Sequence, residues 1–138
     1  MKRRMLKTAK EAIVLMADDD RDDCTIAKDA FEESGAKGGL MFVEDGVELM
    51  EYLCNSGYEL EKCSFPKFIL LDLNMPRKDG REALKELKAS PDLRRIPVIV
   101  FTTSYEKKDK AYCLQMGANA FITKPDNFRD GGPQMEYR

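Results

Sequence analysis

The chain has 138 residues, the length of one ordinary domain with a single hydrophobic core. It carries 23 Lys and Arg against 25 Asp and Glu, so a formal net charge of -2 offers no global basic field to nucleic acid or an anionic membrane. There is no His, and the four Cys lack the spacing of metal ligands, which argues against a zinc site. No apolar run approaches the roughly 20 residues that span a bilayer, so we expect a cytoplasmic protein.

Five short apolar runs predict β-strands, because they are rich in Ile, Val or Phe. In chain order they are AIVLMA (12–17), LMFVE (40–44), KFILLD (67–72), IPVIVFT (96–102) and AFIT (120–123). Four stretches between them have apolar residues at intervals of three and four, which is typical of amphipathic helices. These are RDDCTIAKDAFEES (21–34), GVELMEYLCNS (46–56), REALKELKAS (81–90) and KKDKAYCLQM (107–116). Buried strands alternating with helices predict an α/β fold with an open parallel sheet.

Polar residues follow the predicted strands at the points where the strands end. They are Asp18, Asp19 and Asp20 after the first strand, Asp72 after the third, Thr102 and Thr103 after the fourth, and Lys124 after the fifth. In open parallel sheets the functional crevice lies outside the carboxyl ends of the strands. We therefore expect carboxylates, a hydroxyl and an amine to meet at one edge of the sheet.

The chemistry of this edge follows from its charge. Carboxylates that share a site repel one another unless a cation neutralises them, and oxygen ligands without His or Cys favour Mg²⁺. Asp72 is then both a ligand and a candidate nucleophile, since an aspartate can form an acyl phosphate. Lys124 and the Thr102 hydroxyl are placed to stabilise the charge on a transferring phosphoryl group.

The motifs MADDD, LLDLNMPRKDG, VIVFTTS and FITKP stand in this order between residues 13 and 125. With them the chain resembles a response regulator receiver domain, and most of all the single-domain regulators that partner phytochrome-type histidine kinases. The resemblance implies a doubly wound, flavodoxin-like sheet with strand order 2-1-3-4-5. It also implies that residues 1–138 form one receiver domain, with a core at 12–125 and a short tail at 126–138.

The same resemblance implies roles for the acidic residues. Asp72 corresponds to the phosphoacceptor. Asp19 corresponds to a direct Mg²⁺ ligand and Asp18 to a ligand through water, while Asn74 would add its backbone carbonyl to the metal. The acids Asp20, Asp22 and Asp23 exceed the usual pair, and we interpret them mainly as the first turn of a helix, where negative charge is favourable. The alternative is that they also tighten the metal site.

Three residues near the carboxyl end of the chain are implied to act on the phosphoryl group or to respond to it. Thr102 corresponds to the switch hydroxyl, and Lys124 to the phosphate-binding lysine before a cis Pro125. Phe121 corresponds to the aromatic residue that changes its packing on activation. It lacks the hydroxyl of a tyrosine, so any switching must depend on burial of the ring.

The function implied is that of a signalling protein which catalyses only its own phosphorylation and dephosphorylation. The phosphoryl donor would be a sensor histidine kinase or a phosphotransfer protein, and the output would be docking to a downstream protein effector, with no direct contact to nucleic acid or membrane. Two alternatives stay open. A haloacid dehalogenase-type phosphatase also uses an aspartyl phosphate, but it needs a second Asp where Asn74 stands. A receiver-like module that is never phosphorylated would not need the intact acids, Thr and Lys.

The tail departs from the family pattern, since DNFRDGGPQMEYR (126–138) stands where a fifth helix is expected. Gly131, Gly132 and Pro133 disfavour a long helix there. A missing helix predicts an uncovered apolar patch over the third to fifth strands, and with it either self-association to a homo-oligomer or reduced stability.

Overall fold

The computed structural model describes residues 13–36, 38–57 and 66–125, which form a parallel five-stranded sheet with helices on both faces. The strands are β1 (Ile13–Ala17), β2 (Gly39–Val43), β3 (Phe68–Leu71), β4 (Val98–Thr102) and β5 (Ala120–Thr123). The helices are α1 (Arg21–Glu33), α2 (Gly46–Gly57), α3 (Gly80–Ala89) and α4 (Lys107–Met116), with a short 3-10 helix at Leu93–Arg95. The strand order β2-β1-β3-β4-β5 confirms the predicted topology.

Aspartate side chains begin helices α1 and α3 at the carboxyl end of the sheet. Asp20 caps α1, where its carboxylate accepts hydrogen bonds from the backbone N–H groups of Asp22 and Asp23. Asp79 caps α3 in the same way. Gly117 ends α4 with a φ of 113°, a left-handed conformation that favours glycine. These local signals fix where α1 and α3 begin and where α4 ends.

The hydrophobic core lies between one face of the sheet and helices α2, α3 and α4. It contains alternate strand residues, because successive side chains of a strand point to opposite faces. The fully buried members from the three central strands are Leu15, Ala17, Ile69, Leu71, Val98 and Val100. Helix α1 lies on the other face, since the crossover from β1 to β2 runs in the direction opposite to the remaining three crossovers.

The face that carries α1 is less well covered toward β4 and β5. Ile99 and Phe101 are half-buried, and Ile122 is 48% exposed. The predicted loss of a fifth helix concerns residues 126–138, which lie outside the described residues. Self-association therefore stays a prediction, and light scattering over a concentration series tests it. In the described ranges, no helix is both long and apolar enough to cross a membrane.

Candidate functional site

Three carboxylates meet at the carboxyl edge of the sheet. Asp18 and Asp19 follow β1 and Asp72 follows β3, and these two strands are neighbours. One carboxylate oxygen of each residue lies within 4.8 Å of those of the other two. Asp18 and Asp72 are buried, whereas Asp19 is exposed. This arrangement of oxygen donors suits a hard divalent cation.

The Asp72 carboxyl is held in an unfavourable electrostatic environment. Burial raises its pKa from an ordinary 3.8 to about 6. The positive charge of Lys124 opposes this shift and the negative charge of Asp18 adds to it, while hydrogen bonds from the Thr102 hydroxyl and the Asn74 backbone N–H favour the charged form. Asp72 is therefore mostly ionised near neutral pH, and a cation would relieve its repulsion from the neighbouring acids.

The start of α3 packs directly against the backbone of the Asp72 segment. The Gly80 backbone N–H donates to the carbonyl of Leu73 at 2.8 Å. A Cβ on Gly80 would lie 2.2 Å from the Asp72 carbonyl oxygen, so only glycine permits this approach. The Asp-Gly pair that ends the LLDLNMPRKDG motif thus caps α3 and lets it lie close to Asp72.

Lys124 follows β5 and lies at the same edge of the sheet. Its ammonium lies between two buried carboxylates. Nζ donates to Oδ2 of Asp18 and to Oδ2 of Asp23, each at 2.7 Å. Burial lowers the pKa of Lys124, but these two hydrogen bonds and the negative charges of Asp72 and Asp18 together outweigh burial and raise the pKa above its ordinary value. The lysine is therefore a fixed positive charge beside the acidic cluster.

The pairing of Asp23 with Lys124 was missed, because the place of Asp23 in the first turn of α1 suggested mainly a favourable interaction with the helix dipole, with a contribution to the metal site as the alternative. That interpretation is incomplete: Asp22 is exposed, but Asp23 is buried and pairs with Lys124. The signal was present in the sequence. Asp23 precedes Ile26 and Ala27 by three and four residues and so lies on the apolar face of α1, where a carboxylate needs a partner.

The remaining predicted residues lie around this cluster at different depths. Thr102 is buried and its hydroxyl favours the charged form of Asp72, whereas Thr103 is exposed. Phe121 is half-buried and packs against the core. The prediction of a cis peptide bond before Pro125 was wrong, because every peptide bond in the described ranges is trans. The trans form of a bond before proline is favoured by about 0.5–1 kcal/mol.

Asn74 directly follows Leu73 and is exposed, with its backbone N–H directed at the Asp72 carboxylate. The role of its carbonyl as a metal ligand stays a prediction. The structure thus brings Asp18, Asp19, Asp72, Thr102 and Lys124 to one edge of the sheet.

The fold and the site together define a class of signalling domain. In this class a parallel sheet of the same strand order carries acids after β1 and β3, a hydroxyl after β4 and a lysine after β5. Residues 14–130 match the family described as the response regulator receiver domain. The chain belongs to this family, and its function is that of a response regulator domain in two-component signalling. Membership of the family favours neither the phosphatase nor the unphosphorylated interaction module.

Similar proteins include regulators from cyanobacteria. The chain is 38% identical to response regulator Rcp1 of Synechocystis sp. over 118 residues, which are 86% of this chain and 80% of that protein. A structure of Rcp1 with Mn²⁺ bound has a TM-score of 0.79 at 36% identity and covers 91% of this chain and 89% of that one. The phosphorylated cyanobacterial phytochrome response regulator RcpA has a TM-score of 0.78 at 37% identity, with 88% and 86% of the two chains covered.

Proposed function

We propose that this chain accepts a phosphoryl group on Asp72 from a phosphohistidine of a sensor histidine kinase or phosphotransfer protein. The observation that carries the proposal is the buried Asp72 carboxylate, which lies within reach of two further carboxylates and the Thr102 hydroxyl. A carboxylate oxygen of Asp72 attacks phosphorus, the bond from phosphorus to the histidine nitrogen breaks, and the imidazole leaves with its electron pair.

Mg²⁺ is the proposed cofactor, with Asp18, Asp19, Asp72 and the backbone carbonyl of Asn74 as ligands. The residues fit such an ion: the three carboxylates supply hard oxygen donors within 4.8 Å of one another, and burial, with a smaller contribution from the Asp18 charge, raises the pKa of Asp72 and so makes its charged form costly without a cation. When bound, the ion would neutralise the carboxylates and one phosphoryl oxygen. The Mn²⁺-bound structure of the similar Rcp1 supports a divalent cation here.

Lys124 and Thr102 are proposed to bind the phosphoryl oxygens. The Lys124 ammonium donates to Asp18 and Asp23, which leaves its third N–H for a phosphoryl oxygen. The Thr102 hydroxyl, which favours the charged form of Asp72, can turn to the new group by rotation about one bond. Phe121 would then repack, which biases an existing equilibrium between two arrangements of the surface around α4 and β5.

The partner is proposed to be a phytochrome-type histidine kinase, because the similar RcpA is a phytochrome response regulator. The output is proposed to be a protein effector that docks on the remodelled surface. We further propose that residues 1–138 act as a single receiver domain in the cytoplasm, and that the chain catalyses only its own phosphorylation and dephosphorylation.

Incubation with acetyl phosphate and Mg²⁺, followed by intact-mass measurement, tests the proposal. We expect the wild-type chain to gain the mass of one phosphoryl group and Asp72→Asn to gain none. Asp92→Asn, a change at an exposed position just before the 3-10 helix that leads into the amino end of β4, serves as the matched control and should behave as wild type. An equal gain in Asp72→Asn, or no gain in wild type, would refute the assignment. Catalytic turnover of acetyl phosphate with no retained phosphoryl group would instead indicate a phosphatase.

A further inference from the structure

A continuous chain of hydrogen bonds leads from Thr102, whose hydroxyl acts on the Asp72 carboxylate, to helix α3. The Thr102 hydroxyl oxygen accepts from the Ser104 backbone N–H at 3.3 Å. The Ser104 hydroxyl donates to Oδ2 of Asp109 at 2.7 Å. Arg81 on α3 then donates to both oxygens of Asp109, from Nε at 3.0 Å and from Nη2 at 2.9 Å.

The last link of this chain is a rigid connection between two helices. Asp109 is 7% exposed and belongs to the first turn of α4, whereas Arg81 belongs to the first turn of α3. Two parallel N–H···O bonds fix both the distance and the orientation of the groups, which a single point contact does not. The hydrogen bonds from Arg81 and Ser104 hold the pKa of Asp109 below its ordinary value, as a persistent ion pair requires.

Ser104 is the junction where this connection meets the start of α4. Its hydroxyl oxygen accepts from the Glu106 backbone N–H at 3.3 Å, and its carbonyl accepts from the Thr123 hydroxyl at 2.9 Å. Glu106 occupies the N-cap position of α4, yet its own side chain makes no capping bond. Ser104 and Asp109 therefore hold the first turn of α4 in place of a conventional cap.

We propose that Arg81 and Asp109 are positioning residues, which act through Ser104 to restrain Thr102 and the start of α4 in the arrangement of the unphosphorylated protein. The inference rests on the proposed function of Asp72. Once Thr102 turns toward a phosphoryl group, the Ser104 N–H must either follow it or lose its acceptor. Because Ser104 is held by Asp109, and Asp109 by Arg81, the loop resists this movement.

Arg81→Gln removes the charge and the bidentate geometry, and Arg77→Gln is the matched control. Arg77 also binds a buried aspartate with two bonds, from Nε to Oδ2 of Asp45 at 2.8 Å and from Nη2 to Oδ1 at 3.2 Å. That pair joins the β3–α3 loop to the β2–α2 loop and has no bond to Ser104. Arg81→Lys keeps the charge but loses the bidentate geometry, and its effect should lie between those of wild type and Arg81→Gln.

The first readout needs no phosphorylation. In the unphosphorylated protein, the backbone amide resonances of Ser104 and Glu106 should move in Arg81→Gln and stay near their wild-type positions in Arg77→Gln. The second readout is the rate of phosphorylation by acetyl phosphate with Mg²⁺. We expect Arg81→Gln to react faster than wild type by about two- to tenfold, because a larger fraction of molecules can reach the reactive arrangement.

Urea unfolding of all three variants separates the proposed role from general loss of stability. Arg77→Gln should lose stability to a similar degree without the change in rate. The inference is overturned if Arg81→Gln matches Arg77→Gln in both the amide positions and the rate, or if Arg81→Gln reacts more slowly than wild type. Absence of any phosphorylation in the wild-type chain would instead contradict the proposed function, and the amide positions would still report whether the hydrogen-bond chain exists.

Discussion

Replacement of Asp72 by Asn should stabilise the folded protein in metal-free buffer at neutral pH. Asp72 is buried beside Asp18, and burial raises its pKa to about 6. An asparagine has nearly the same shape, keeps one oxygen that can accept a hydrogen bond, and carries no charge. The substitution removes the cost of burying a charge, which exceeds the lost attraction to Lys124, and it keeps the packing, so the variant should be the more stable protein.

The magnitude follows from the difference between the folded and unfolded pKa values. In the unfolded chain the Asp72 carboxyl titrates near 3.8, and in the folded chain near 6. The folded state therefore binds more protons between these values, and wild-type stability falls as the pH rises from about 4 through 6. Each pKa unit corresponds to about 1.4 kcal/mol, so the cost is about 3 kcal/mol at pH 7.5 and about half of that at pH 5.

Urea unfolding followed by far-UV circular dichroism measures this difference, with EDTA present to remove divalent ions. The gap between Asp72→Asn and wild type should grow from pH 5 to pH 7.5, and saturating Mg²⁺ should narrow it, because the ion stabilises only the state that binds it. Asp109→Asn is a control in which the change in stability should have the opposite sign. Arg81 and Ser104 lower the pKa of Asp109, so removal of this carboxylate should destabilise the protein at neutral pH. A gain for Asp72→Asn that does not change with pH, or no gain at pH 7.5, would refute the electrostatic reasoning.

Three further substitutions address the metal site, the lysine and the switch. Asp19→Ala should weaken Mg²⁺ binding, measured by titration calorimetry, far more than Asp22→Ala, because only Asp19 belongs to the carboxylate cluster; equal losses would place the ion elsewhere. Asp23→Ala should lower the free energy of unfolding by about 1–3 kcal/mol in urea, since it removes one of the two carboxylates that are hydrogen-bonded to the buried Lys124 ammonium. An unchanged urea midpoint would contradict the importance of that hydrogen bond. Phe121→Ala should leave phosphorylation by acetyl phosphate intact but reduce the difference in partner affinity between the phosphorylated and unphosphorylated states, whereas an unchanged difference would exclude the ring from switching.

The sequence by itself determined the elements, their order and the edge at which the polar residues meet. Apolar runs such as FILL in β3 and IVLMA in β1 have the composition of buried strands, and Asp20, Asp79 and Gly117 mark helix ends through hydrogen bonds or dihedral angles local to the chain. Parallel strands then bring Asp18 and Asp72 to one edge without further information. These features were predictable because each depends on neighbours within a few residues or on a general rule of sheet topology.

Only the tertiary structure decided which charged groups pair across the fold. Lys124 and Asp23 are 101 positions apart in sequence, and Arg81 and Asp109 are 28 apart. Whether such side chains meet depends on the rotation of each helix about its axis, on strand register and on the depth of each group. A charged residue in a helical pattern is compatible with solvent as well as with a buried partner, and the pattern alone does not separate the two. Burial separates the two cases, because a charge that is removed from water requires a partner. The burial of each residue is decided only when the helices pack on the sheet.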